Sequence, residues 1–174
     1  MQRRIDLRCD ADGWSVDALP HELTHVVLAA RFPGRQLPPW ADEGMAMLSE
    51  SSAKRQIRLA NLRQNLQQQA GFSLPELMAV RQLPPAHRRD AFYGQSLAVT
   101  AWLIDRAGPQ EFARLLEAAE GTTFDEALRR QFHIAGVEGL EQEWRRWATS
   151  PAPLVVGGLD EGAGAIEVAS TEAD

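Results

Sequence analysis

Cysteine, lysine and tyrosine each occur once in this 174-residue chain, as Cys9, Lys54 and Tyr93. A lone cysteine excludes an internal disulfide and a cysteine-rich zinc shell, and Cys9 reads as a small apolar side chain. A basic surplus is missing too. The formal net charge is −6, and setting aside the five acids beyond Pro151 leaves 18 basic against 19 acidic residues. Binding phosphates needs a concentrated basic patch, so nucleic acid is excluded as the main partner. No apolar run reaches the length of a membrane span. The opening MQRRIDLRCD also lacks the apolar stretch of an export signal. As written the chain therefore reads as soluble and cytoplasmic, with export the expectation only if the N-terminus is truncated.

The 44% hydrophobic content suffices for one core, and the expected unit covers residues 1–150. Residues 151–174, rich in Gly, Ala and acids without periodicity, read as a disordered acidic tail. The body is expected to be mainly α. Only residues 4–9 alternate as a half-buried strand, with Ile5, Leu7 and Cys9 on one face. A first helix follows Ser15 and Asp17, both good N-caps, takes Pro20 in its first turn and ends near Arg31 before Pro33 and Gly34. The second opens at 38-PPWADEG-44 and breaks at Ser49–Ser52. Residues 53–70 carry a narrow stripe of Ile57, Leu59, Leu62 and Leu66, and a short helix at 73–80 is capped by Ser73. Residues 89–107 are apolar on nearly all sides, which marks the most buried helix. Further helices are expected at 109–119, from Thr122 or Thr123 to Phe132, and at 137–148. Trp40, Trp102, Trp144 and Trp147 are the expected core aromatics.

One segment carries chemistry. 21-HELTH-25 places two of the four histidines four residues apart on a predicted helix, so both imidazoles can reach one metal ion while Glu22 lies about 100° round the axis. With this composition the pattern arises by chance on the order of once in a hundred such chains, so it is informative alone. Neutral imidazole and carboxylate suit Zn²⁺, and a catalytic zinc takes three protein ligands and a water. Glu43 is the expected third ligand. An antiparallel second helix returns the chain toward His25, and Gly44, having no side chain, is expected to let those two helices approach. An acid in a first helical turn is the plainer reading of Glu43. His87 and His133 sit in predicted loops without partners at ligand spacing, and read as solvated or capping residues.

HELTH followed by PPWADEGMA resembles the gluzincin clan of zinc metallopeptidases, specifically the peptidase-MA-like families whose second motif reads roughly P-x-W-x-x-E-G-x-A. The stretch from 93-YGQS-96 through Gly108-Pro109 to 141-EQEW-144 is similar to the helical C-terminal region of those families. The likeness covers most of residues 14–148. It implies the helical part of a zincin-like metallopeptidase with a reduced N-terminal β element. It also implies His21, His25 and Glu43 as zinc ligands, Glu22 as general base and a peptide or protein substrate. Tyr93, at the Y-x-Q-S position, is the candidate oxyanion donor, ahead of Gln95 and Ser96; a tyrosine hydrogen-bonded for packing is the alternative. Where some gluzincins place an acid four residues after the ligand glutamate, this chain has Met47, which leaves Asp42 and Glu50 as candidates to orient an imidazole. The expected function is zinc-dependent peptide hydrolysis. The alternative is a catalytically inactive zinc-binding scaffold or regulatory module with a truncated substrate sheet.

Overall fold

In the computed structural model, which describes residues 14–151 together with Leu154 and Val156, every regular element is helical. The expected strand at 4–9 lies outside the described residues. Trp14–Ala18 forms a π-helical turn that runs directly into α1 (Leu19–Arg31), with Pro20 in the first turn as predicted. Asp17 does not cap this helix. Because the π turn already continues into α1, the Asp17 carboxylate is free to look elsewhere and accepts the Ser51 backbone N–H at 2.8 Å.

After the turn at Phe32–Pro38 the chain folds back as α2 (Pro39–Leu48). The pairings Asp17 with Ser51, His21 with Glu50 and His25 with Asp42 set the two helices antiparallel. The Thr24 hydroxyl also lies 3.1 Å from that of Ser49. The far face of α2 buries Trp40, Ala41, Gly44, Met47 and Leu48. These pack on α5 (Ala86–Ala107), the most buried helix, as its apolar pattern predicts.

This corrects the expected role of Gly44. It faces α5 rather than α1: a Cβ added there would stand 2.6 Å from the Ser96 carbonyl oxygen. The missing side chain therefore seats α2 on the central helix, and Glu43, one residue round, turns toward α1 as a consequence.

α3 (Ser52–Gln67) is capped by the Ser51 hydroxyl, which accepts from Lys54 N–H. Leu59 and Leu62 are buried, but Ile57, predicted to share their stripe, is 62% exposed. Its place on the inner face is taken by Arg55, which is 2% exposed and donates from Nη1 to the Leu48 and Glu50 carbonyl oxygens. The guanidinium thus satisfies carbonyls that the end of α2 leaves without helical partners.

α4 (Leu74–Ala79) begins with a capping box in which Ser73 and Glu76 exchange hydrogen bonds with each other's backbone. α6 (Pro109–Gly121) follows Gly108, and Thr123 caps α7 (Phe124–Ala127), which continues as a π turn through Phe132. His133 ends that turn in the left-handed region, with φ 55°. His87 lies in the first turn of α5, not in a loop. α8 (Gly136–Ala148) buries Leu140 and Trp144. Trp40 and Trp144 are fully buried, whereas Trp102 and Trp147 pack against the core from its edge. The packed body reaches past residue 150, since Leu154 and Val156 are buried in the same core. The rest of the expected tail lies outside the described residues. No helix among the described residues is long and apolar enough to cross a membrane.

Candidate metal centre

Residues 21 and 25 lie one turn apart on α1 and project from the same face toward α2. His21 Nε2 and His25 Nε2 approach to 3.3 Å, and His21 Nε2 lies 3.5 Å from Glu43 Oε2. Together with Glu43 they form the one group of three or more side chains among the described residues that could hold a metal ion, every candidate ligand atom within 4.8 Å of the others.

The other ring nitrogens are tied down. His21 Nδ1 lies 3.1 Å from Glu50 Oε1, and His25 Nδ1 lies 3.0 Å from Asp42 Oδ1. A carboxylate only accepts, so each imidazole donates from Nδ1–H. Asp42 and Glu50, which the sequence leaves as alternatives, each orient a different ring.

This arrangement permits a test of fit. With both protons fixed on Nδ1, two Nε2 lone pairs and a carboxylate oxygen face one point, which is repulsive unless a positive charge stands between them. A proton on His21 is one such charge. Burial disfavours that proton, but hydrogen bonds to Glu43 and Glu50 and the charges of both acids outweigh it and raise the pKa to about 9. The His25 pKa is raised chiefly by its hydrogen bond to Asp42, against the effect of burial. A metal ion is the other. Donors about 2.0 to 2.1 Å from a tetrahedral zinc stand about 3.3 to 3.4 Å apart, close to the 3.3 and 3.5 Å at which His25 Nε2 and Glu43 Oε2 stand from His21 Nε2. The His₂Glu donor set, with each ring held by a carboxylate, fits zinc.

Glu22 is half-buried in the first turn of α1, next along the helix from His21. A cleft of about 620 Å³ opens beside the cluster, its lining including His25, Asp42 and Glu43 together with Leu37, Arg81 and Leu83. Tyr93 is half-buried on α5, and its phenol pKa is raised by burial and by the charge of Glu43. The neighbouring YGQS residues have separate tasks. Gln95 is fully buried and committed to the loop before α4, accepting from Phe72 N–H at 2.6 Å and donating to Phe72 O at 2.8 Å. Ser96 is buried under Gly44. The Gln95 side chain is thus not directed at the cluster.

Sequence reasoning missed the basic groups behind it. Arg58 Nε and Nη2 donate to the two oxygens of Glu50 at 2.7 and 2.8 Å, and Lys54 Nζ lies 3.3 Å from Oε1. Burial opposes ionisation of Glu50, but the hydrogen bonds from His21 and Arg58 and the charges of Arg58 and Lys54 hold its pKa at about 2. A signal existed: carrying the Leu62 and Leu66 row backward in steps of four reaches Arg58 and Lys54, so both basic side chains stand on an inward-facing row.

A family model described as the Peptidase MA superfamily matches residues 4–150. The chain belongs to this family. No curated protein and no solved structure matches it.

Proposed function

We propose that the chain is a zinc-dependent peptidase, with His21, His25 and Glu43 holding the ion. The observation that carries this reading is the convergence of two Nε2 atoms and a carboxylate oxygen within 4.8 Å, on rings whose opposite nitrogens are occupied by carboxylates. Family membership supports peptidase-like chemistry. A bound zinc would supply Lewis acidity, lowering the pKa of a water and polarising the scissile carbonyl.

The chain's own residues supply the rest. Glu22 accepts the proton of the attacking water and delivers it to the departing amine, so one carboxylate serves as base and then acid. Tyr93 donates a hydrogen bond to the oxygen on which negative charge develops. Asp42 and Glu50 keep both imidazoles in the tautomer that leaves Nε2 free. The cleft beside His25 and Glu43 receives the substrate, its Leu37 and Leu83 surfaces excluding water from part of the peptide.

Glu22→Gln tests the reading, because it removes the base while keeping size and polarity. The variant is expected to hold as much zinc as the wild type and to lose peptide cleavage by a hundredfold or more, on the order of the contribution of a general base. A wild type that holds zinc yet cleaves nothing in a broad peptide library would favour the zinc-binding scaffold instead.

A further inference from the structure

Glu50 is 2% exposed, and its carboxylate is gripped from both sides: His21 Nδ1 at 3.1 Å, Arg58 Nε and Nη2 at 2.7 and 2.8 Å, and Lys54 Nζ at 3.3 Å. The two Arg58 bonds go to different oxygens of one planar group, so they fix the rotation of the carboxylate as well as its position. That rotation decides where Oε1 stands, and Oε1 is the atom that meets His21 Nδ1.

The same guanidinium lies over the ring of Tyr93, 5.5 Å from its centroid. The backbone is built for this approach. A Cβ at Gly94 would stand 3.1 Å from the Arg58 carbonyl oxygen and 3.3 Å from Leu62 Cβ, so α3 and α5 touch where Arg58 and Tyr93 meet. One flat cation therefore contacts both the carboxylate that orients a metal-binding ring and the phenol ring assigned to the oxyanion. A charge alone cannot do both. Lys54 already offers Glu50 a positive charge, but from a more exposed side chain with one contact and no plane to stack.

We propose that Arg58 is a positioning residue of the catalytic centre, setting His21 through Glu50 and Tyr93 through its ring face. This rests on the zinc peptidase reading above. It predicts that α3, which offers no metal ligand, tunes metal affinity and turnover together.

The test is a pair of mutant cycles on the full chain. Zinc affinity is measured by competition with a chromophoric chelator, turnover with a peptide substrate, and folding by thermal unfolding. Arg58→Lys, which keeps the charge but loses the fork, is expected to fold and to bind zinc about 10- to 100-fold more weakly. Glu50→Gln is expected to weaken binding similarly, and the double variant to be within roughly threefold of the weaker single one, because both act on one network. Tyr93→Phe is expected to lower kcat less in the Arg58→Lys background than in the wild type. Lys54→Ala is expected to change zinc affinity less than Arg58→Lys does.

Wild-type zinc affinity in Arg58→Lys, multiplying losses in the Glu50 cycle, or full additivity with Tyr93→Phe each overturns the proposal. Arg58→Gln, which keeps planar donors without charge, is the second variant, and failure of both to fold makes Arg58 a purely structural residue. A wild type that takes up no zinc contradicts the parent reading instead, so the two failures are distinguishable.

Discussion

Gly44→Ala is a one-carbon change, and its effect follows from where that carbon must go. The added Cβ would lie 2.6 Å from the Ser96 carbonyl oxygen, 0.8 Å inside the 3.4 Å at which ordinary contact begins. Thr100, the other neighbour, can turn its hydroxyl away but not its Cβ, which would stand 2.8 Å from the added carbon. The Ser96 carbonyl cannot move either, because it is part of the backbone of α5 where that helix is buried from Gly94 to Ala101. Relief requires α2 to lift from α5, separating an interface that includes Trp40, Met47 and Leu48. Overpacking of this kind costs about 1 to 3 kcal/mol, or about 2 to 12 °C in Tm for a chain of this length. Because Glu43 precedes Gly44, the same displacement moves the carboxylate relative to both imidazoles, and zinc affinity is expected to fall alongside stability. Thermal unfolding in a chelating buffer reads the first effect and chelator competition the second. A Gly94→Ala control, whose nearest neighbour is 3.1 Å away, should cost less. An alanine at position 44 that leaves Tm within about 1 °C of the wild type refutes the packing of α2 on α5 described here.

The metal-free protein should be most stable below neutral pH as far as His21 is concerned. Its pKa is raised from 6.5 to about 9, so its stabilisation is fully present below 6.5 and is lost as pH rises through about 9, on the order of 3 kcal/mol in total. Chelator-treated protein unfolded in denaturant at a series of pH values should show that loss; a flat profile from pH 6 to 10 contradicts it. Zinc binding at pH 7 should release about one proton or more, seen by calorimetry in buffers of different ionisation heat, because the ion displaces the proton on His21 and any share held by His25, whose pKa is also raised. Gln95→Leu strands both Phe72 N–H and Phe72 O in a buried site, and should cost about 2 to 4 kcal/mol in a denaturant titration. A loss below 1 kcal/mol would mean that solvent reaches Phe72.

Much of the site was legible because its spacing is helical. His21 and His25 stand one turn apart whatever surrounds them, and a second helix returning antiparallel brings Glu43 back to them. Helix ends were legible where local chemistry sets them, as at Ser73 and Thr123, each of which caps a helix. What resisted reading was the rotation of each helix about its axis. Gly44 facing α5 instead of α1, and Ile57 left outward while Arg55 turns in, depend on the partner helix and not on the local pattern. Arg58 was hidden for a related reason. Its polarity argues for the solvent side although the leucine row places it inward, and the buried Glu50 supplies the partner that decides between them. Leu154 and Val156 lie in a segment without period, so their burial is visible only once the body they pack on exists.

The zinc content of purified protein, measured by elemental analysis beside Glu22→Gln and His21→Ala variants, tests the account most directly. It predicts one zinc per chain in the wild type and in Glu22→Gln, and a loss of bound zinc in His21→Ala. A wild type that holds no zinc after exposure to it, or a His21→Ala variant that retains the full amount, contradicts the account.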